Sequence, residues 1–127
     1  MLMNTATFAK MIFAATATAA LLAITPASAA DAPTADEIKK AVSDHTYQGS
    51  MSAAASGFAE YYAADGSIKA KDYSGKWRAD DGVMCFQYGD SAERCFGVEI
   101  QGPSMIMIKG DKIDGNGMLI PGNVNNF

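Results

Sequence analysis

Cys85 and Cys95 are the only cysteines in this chain of 127 residues, and each is followed by phenylalanine in the stretch MCFQYGDSAERCFGVEI. Three kinds of chemistry use paired cysteines. A redox pair usually has the spacing Cys-x-x-Cys at the start of a helix, which this pair lacks. A zinc site would need two further ligands, and His45 is the single histidine. An even number of cysteines in a secreted chain predicts a structural disulfide instead.

The residues between the cysteines predict a β-hairpin that would bring them together. With Gly89-Asp90-Ser91 as the loop, Cys85 faces Cys95 across an antiparallel pair, where Cβ atoms lie about 4.5–5.5 Å apart and close to disulfide distance. The alternation predicts that Gln87, Glu93 and Glu99 share the wet face with the cysteines. The opposite, apolar face would hold Met84, Phe86, Tyr88, Phe96, Val98 and Ile100.

Residues for catalysis are scarce. His45 falls near the end of a predicted helix, a common place for a structural histidine. Glu60 and Glu99 lie on predicted strands and could form a carboxylate pair, but solvent-facing strand positions explain them more simply. The chain contains no Gly-x-Ser-x-Gly elbow and no phosphate-binding loop. We therefore expect a protein that is not an enzyme, has no catalytic residues and carries no cofactor.

The acidic turns are the candidates for a metal site. Asp111, Asp114 and Asn116 belong to a stretch, DKIDGNG, that resembles part of a calcium loop. It lacks the alternating acidic order and the closing glutamate of such a loop. The alternative is a hairpin turn, in which Asp-Gly and Asn-Gly supply the positive φ angles that the turn requires.

Aromatic, methionine and arginine side chains are the candidates for binding a partner. Tyr61 and Tyr62 are adjacent, so in a strand they point to opposite faces and one can be exposed. Met105 and Met107 lie in the segment SMIMI, which is apolar on both faces and is therefore either covered on both sides or offers an apolar patch. Arg78 follows Trp77 and could contact the carboxylate of a partner.

The N-terminus predicts how the chain is processed. Lys10 precedes an apolar run from Met11 to Thr25, and small residues follow up to Ala30, as in a secretory signal peptide. Cleavage near Ala29 or Ala30 would leave one periplasmic or secreted domain, residues 31–127. That domain has nine Lys and Arg residues against 14 Asp and Glu, a net charge of −5. An acidic domain disfavours binding to nucleic acid. We also expect no insertion of the mature domain into a membrane.

The mature chain predicts a mainly β (α+β) domain with one short N-terminal helix. Thr34 and Glu37 match a capping box, and the apolar spacing predicts a helix from Ala35 to Asp44. Turn residues then recur about every 8–12 residues, which favours a small antiparallel meander, sandwich or barrel of seven or eight strands. The predicted strands are Tyr47 to Ser52, Gly57 to Ala63, Ser67 to Lys71, Gly75 to Ala79, Val83 to Tyr88, Arg94 to Ile100, Ser104 to Lys109 and Gly117 to Ile120.

The order of these features resembles a group of small secreted bacterial proteins of unknown function. The shared features are the capped helix, the Asp65-Gly66 turn, the Gly75-Lys76-Trp77 strand, the Cys-Phe…Cys hairpin and a late Gly-Asn-Gly turn. The resemblance implies a fold and no activity. A more distant likeness, in size, disulfide and compartment alone, is to small periplasmic barrels that inhibit proteases or lysozyme.

These observations give two hypotheses for function. The first is a periplasmic or secreted protein-binding module, such as an inhibitor or envelope accessory factor, whose partner is an unidentified envelope or extracellular protein. The alternative is a small barrel that carries a hydrophobic ligand or a metal ion in its interior. Because the strands are few and short, side chains are expected nearly to fill that interior.

Overall fold

The structure, a computed structural model, describes residues 31–127. The predicted signal peptide, residues 1–30, lies outside the described residues. The described chain is one short helix followed by eight antiparallel strands that close into a barrel. The elements are α1 (Ala35–Val42), β1 (His45–Met51), β2 (Gly57–Tyr62), β3 (Ser67–Lys69), β4 (Ser74–Asp80), β5 (Val83–Tyr88), β6 (Arg94–Gln101), β7 (Ser104–Lys109) and β8 (Lys112–Pro121).

The helix begins at the predicted capping box and ends earlier than predicted. The Thr34 side chain accepts a hydrogen bond from the Glu37 backbone N–H, and the Glu37 carboxylate accepts one from the Thr34 N–H. The helix was expected to run to Asp44, with His45 at its end. The helix instead ends at Val42, because Ser43 has ψ of 133° and is already extended. Asp44 follows with φ of +58°, and His45 is the first residue of β1.

The hairpin that carries the disulfide has the predicted register. Cys85 lies opposite Cys95, and the two sulfurs are bonded. Met84 pairs with Phe96 and Phe86 with Arg94, also as predicted. The apolar face of this hairpin points into the barrel, and the disulfide lies on the outer wall.

The final strand differs from the prediction. The stretch from Asp114 to Gly117 was expected to be a turn and a short strand was expected after it. The turn predicted at Gly110 and Asp111 is present, but the second turn is absent, and β8 runs for ten residues from Lys112 with an irregularity in its pairing with β7. This length allows β8 to pair with β1 from Met51 to His45 and so to close the barrel.

The two ends of the barrel differ. Ile38 and Val42 of α1 are fully buried and pack on the core at the end where β1 begins. Hydrogen bonds hold the helix there, from the Gly82 N–H to the Pro33 carbonyl and from the Asp44 N–H to the Tyr62 carbonyl. The opposite end, where β1 ends and β2 begins, is not covered by the helix.

No helix in the described range is long and apolar enough to cross a membrane.

Candidate functional site

The uncovered end of the barrel contains a cavity of about 420 Å³. Side chains were expected nearly to fill the barrel, and they do so only in the half next to the helix. Five aromatic rings, two methionines and two charged residues line the cavity: Met51, Phe58, Glu60, Tyr73, Phe86, Tyr88, Arg94, Phe96 and Met107.

Glu60 is the buried charged residue of this cavity. It was expected to face solvent, but only 3% of its surface is exposed. The reason is the alternation along β2, which turns Phe58, Glu60 and Tyr62 to the same, inner side of the barrel. Glu99 is exposed on the outer face, so the two glutamates do not form a pair.

Three tyrosine hydroxyls donate hydrogen bonds to the Glu60 carboxylate. Tyr62 donates to Oε2 at 2.8 Å, and Tyr73 donates to Oε1 at 2.8 Å. The Tyr88 hydroxyl lies 2.9 Å from Oε1 and 3.1 Å from Oε2. We call Glu60 with Tyr62, Tyr73 and Tyr88 the carboxylate cluster. Each of these hydroxyls gives its single proton to the carboxylate, which leaves only acceptor positions on the phenol oxygens.

Burial and the negative charge of Glu60 keep the tyrosines of the barrel interior protonated. Both effects raise the pKa of Tyr73 and Tyr88 above the ordinary tyrosine value, with burial as the larger cause. The pKa of the fully buried Tyr62 is raised well above that value for the same reasons. Tyr47, which lies deeper and donates to the Met105 carbonyl, has its pKa raised to about 12.

Two local features of the backbone place Tyr73 and Tyr88 at Glu60. Gly75 of β4 has no side chain, and the Tyr88 ring from β5 lies against it, so that an added Cβ would come within 2.8 Å of Tyr88 Cδ1. The strand β3 is only three residues long, and Tyr73 comes from the connection that follows it. The Tyr73 and Tyr88 rings meet edge to face, with centroids 5.7 Å apart.

Glu60 has no cationic partner of its own. In the part of the chain that the structure describes, the two ion pairs within 4.0 Å are both made by Arg78 on the outer wall. Arg94 lines the cavity from the first position of β6, where it is exposed at the rim. The cavity therefore has a buried negative charge in its wall and a solvated positive charge at its mouth.

The predicted partner-binding residues are divided between the two faces of the barrel. Tyr62, Met105 and Met107 point inward and are buried, so they are not part of the outer surface. Tyr61 is half-buried on the outside and donates a hydrogen bond to Asp44. Arg78 lies on the outer wall beside the disulfide and binds Glu93 through two hydrogen bonds and Asp80 through a third. Partner binding by Tyr61 or Arg78 stays a prediction.

Arg78 and Glu93 affect each other's ionisation. Hydrogen bonding to Glu93 is the largest cause that raises the pKa of Arg78, and the same hydrogen bonds lower the pKa of Glu93. Both side chains are solvated, so the pair fixes the geometry of the outer wall and contributes little to stability.

The predicted metal ligands lie on β8 and the turn before it. Asp111 is exposed in the turn, Asn116 is exposed on the strand, and Asp114 accepts a hydrogen bond from the Ser52 hydroxyl at 2.7 Å. Across residues 31–127, a single group of at least three potential ligands from His, Cys, Asp and Glu is close enough to share an ion. That group is Cys85, Glu93 and Cys95, whose cysteines are in the disulfide. Calcium binding at Asp111, Asp114 and Asn116 stays a prediction.

Sequence reasoning did not identify the carboxylate cluster, although part of its signal was present. Phe58, Glu60 and Tyr62 have the spacing of one strand face, and two aromatic neighbours around a glutamate indicate an inner position. Tyr73 lies outside the strands, so no periodicity could assign it to the same site.

Comparisons with protein-family models, with curated proteins and with solved structures find no match for this chain.

Proposed function

We propose that this protein is a periplasmic or secreted binding protein, not an enzyme, that carries a small molecule with an apolar body in the open end of its barrel. The observation that carries the proposal is the cavity of about 420 Å³ between Glu60 and the rim. Its volume lies within the range of about 300–1,000 Å³ that is typical of small-molecule sites. Apolar walls with a few converging polar groups are also typical of such sites.

The lining of the cavity supports an apolar ligand. Seven of the nine lining residues are aromatic rings or methionines. Removing apolar surface from water stabilises a complex by roughly 25 cal/mol per Å². Methionine side chains adapt to the shape of what they contact, so Met51 and Met107 suit a ligand of irregular outline.

The protein-binding module favoured by the sequence has less support than the carrier. Its main feature was the two-sided apolar segment that contains Met105 and Met107, and both methionines belong to the barrel interior. The predicted signal peptide and the disulfide support a location outside the cytoplasm for the carrier as well.

Binding of the neutral fluorescent probe N-phenyl-1-naphthylamine tests the carrier. We expect one saturable site on the purified, oxidised protein. The variant Met51→Trp should abolish binding, because Met51 lies against Gly115 in the cavity wall and a larger ring there would occupy the cavity. Met118→Trp is the matched control, since Met118 is 54% exposed on the outside of the barrel, and it should bind as the wild type does.

Either of two results would overturn the proposed carrier function. The first is an absence of saturable binding to the wild type, and the second is equal binding by Met51→Trp and Met118→Trp. Circular dichroism would establish that each variant is folded. If Met51→Trp does not fold, Arg94→Trp at the exposed rim provides a second way to obstruct the cavity.

A further inference from the structure

The charge of Glu60 is only partly compensated within the protein. A buried carboxylate is costly unless it is paired or fully hydrogen-bonded. Glu60 has hydrogen bonds from Tyr62, Tyr73 and Tyr88, which are neutral, and no cation of the described chain lies within 4.0 Å of it. A ligand that brings a positive charge into the cavity would supply the missing counter-charge.

The carboxylate cluster determines what kind of cation would fit. A carboxylate offers about four lone-pair positions. The three tyrosines make four contacts with the two oxygens, two of them from Tyr88. Because each hydroxyl has one proton, the three tyrosines fill three of these positions, and Glu60 offers its charge with at most one free acceptor position. A strongly hydrated primary ammonium has three N–H donors and would need more acceptors than Glu60 has free, whereas a quaternary ammonium has no N–H and needs none.

The walls of the cavity favour the same kind of cation. Aromatic faces attract cations, most strongly where water is excluded. The five rings of the cavity surround the space beside Glu60. One of them already contacts a cation of the protein itself, because Lys109 Nζ lies 5.9 Å from the centre of the Phe96 ring near the rim.

We propose that the ligand is an organic cation: a quaternary ammonium with an apolar tail, whose charged head lies among the aromatic rings beside Glu60. This inference rests on the proposed carrier function and specifies its ligand class. Arg94 and Lys109 at the rim are exposed and therefore screened by water, so they weaken the attraction for a cation without cancelling it.

Three ligands with the same tail but different heads test the inference. Isothermal titration calorimetry on the purified, oxidised protein would compare octyltrimethylammonium, 1-octanol and octanoate. We expect octyltrimethylammonium to bind about tenfold more tightly than 1-octanol, a difference of about 1.4 kcal/mol, because Glu60 and the aromatic rings both attract its charge. Octanoate should bind most weakly, because its charge repels Glu60.

Two variants assign the preference to Glu60. Glu60→Gln keeps the shape of the side chain and removes the charge, so the preference for octyltrimethylammonium over 1-octanol should fall to the part that the aromatic rings alone provide. Glu99→Gln removes an exposed charge from the outer wall and should leave the tenfold preference unchanged.

The failures of the two proposals are distinguishable. If 1-octanol and N-phenyl-1-naphthylamine bind but octyltrimethylammonium has no advantage, the proposed carrier function is supported and the proposed cationic ligand is wrong. If octanoate binds most tightly and Arg94→Gln abolishes that binding, the ligand is an anion held at the rim, and the proposed cationic ligand is also wrong. If no probe binds, the carrier itself is wrong.

Discussion

The burial of Glu60 lowers the stability of the fold, while its charge serves the proposed binding of a ligand. A glutamate in the wall of an apolar barrel lowers stability unless its charge is compensated. The protein compensates it with tyrosines, whose rings pack as apolar groups while their hydroxyls bind the carboxylate. An apolar residue at position 60 would pack more simply. The presence of a charged residue there, beside the cavity, supports the proposed role in binding.

The hydroxyl of Tyr88 should contribute measurably to stability. Tyr88→Phe removes a hydrogen bond to a buried charge, and such bonds are typically worth about 1.5–3 kcal/mol. We expect the free energy of unfolding, measured by urea denaturation, to fall by about 2 kcal/mol. Tyr61→Phe is the matched control, because the Tyr61 hydroxyl binds Asp44 at 2.9 Å on the outer surface.

The control should lose less than about 1 kcal/mol, because its partner is solvated and the freed carboxylate binds water instead. Equal losses in the two variants would contradict the view that Glu60 is a buried charge supported by its tyrosines.

At the scale of elements, the parts held together by local contacts were predictable from the sequence. The capping box fixes the start of the helix, and the register of the Cys85–Cys95 hairpin follows from its loop and from alternation. The strand β8 was not predictable in the same way. Its Gly115 and Gly117 have the composition of a turn, but they lie in the strand and face large side chains. A Cβ at Gly117 would come within 2.7 Å of the Tyr47 ring.

Glycines that face the barrel interior leave space for large side chains, and a substitution at Gly75 tests this role. The missing side chain of Gly75 leaves room for the Tyr88 ring. In Gly75→Ala, the new Cβ would lie 2.6 Å from the Gln87 carbonyl oxygen and 2.8 Å from Tyr88 Cδ1. The backbone contact cannot be relieved by a rotamer change, so we expect a loss of about 1–3 kcal/mol in the free energy of unfolding.

Gly57→Ala is the matched control for Gly75→Ala, since Gly57 also lies in a strand and the nearest atom to its added Cβ is 3.9 Å away. Urea denaturation of the control should give the wild-type free energy or a slightly higher one, because alanine restricts the unfolded chain. A control as unstable as Gly75→Ala would mean that strand glycines matter here for a reason other than the space beside Tyr88.

At the scale of the whole molecule, closure of the barrel was the least predictable feature. The sequence left sandwich and barrel open, because closure depends on pairing between β1 and β8 at opposite ends of the domain. The predicted last strand, Gly117 to Ile120, contains four of the seven residues of β8 that pair with β1. The cavity is a consequence of the closed shape, since the helix covers one end and Ile38 and Val42 fill it. The opposite end lacks an equivalent element within residues 31–127.

The tyrosines of the barrel interior predict how the whole molecule responds to alkaline pH. An unfolded tyrosine loses its proton near pH 10, whereas burial raises the pKa of Tyr47 to about 12 and raises the pKa of Tyr62 well above the ordinary value. Below about pH 10 both states are protonated and the free energy of unfolding is insensitive to these groups. Above it the folded state binds more protons than the unfolded state. The free energy of unfolding must then fall as pH rises, by up to about 1.4 kcal/mol per pH unit for each retained proton.

Urea denaturation at several pH values between about 8 and 12 measures this fall, and tyrosinate absorbance of the folded protein measures the protons directly. We expect the absorbance of the native protein to rise later than that of the urea-unfolded protein. Tyr47→Phe removes one of the shifted groups and should make the fall in stability less steep. Coincident absorbance curves for the two states would contradict the buried position of Tyr47 and Tyr62. Glu60 would then lie in a solvated site, where water would screen its charge and the site would not favour a cationic ligand.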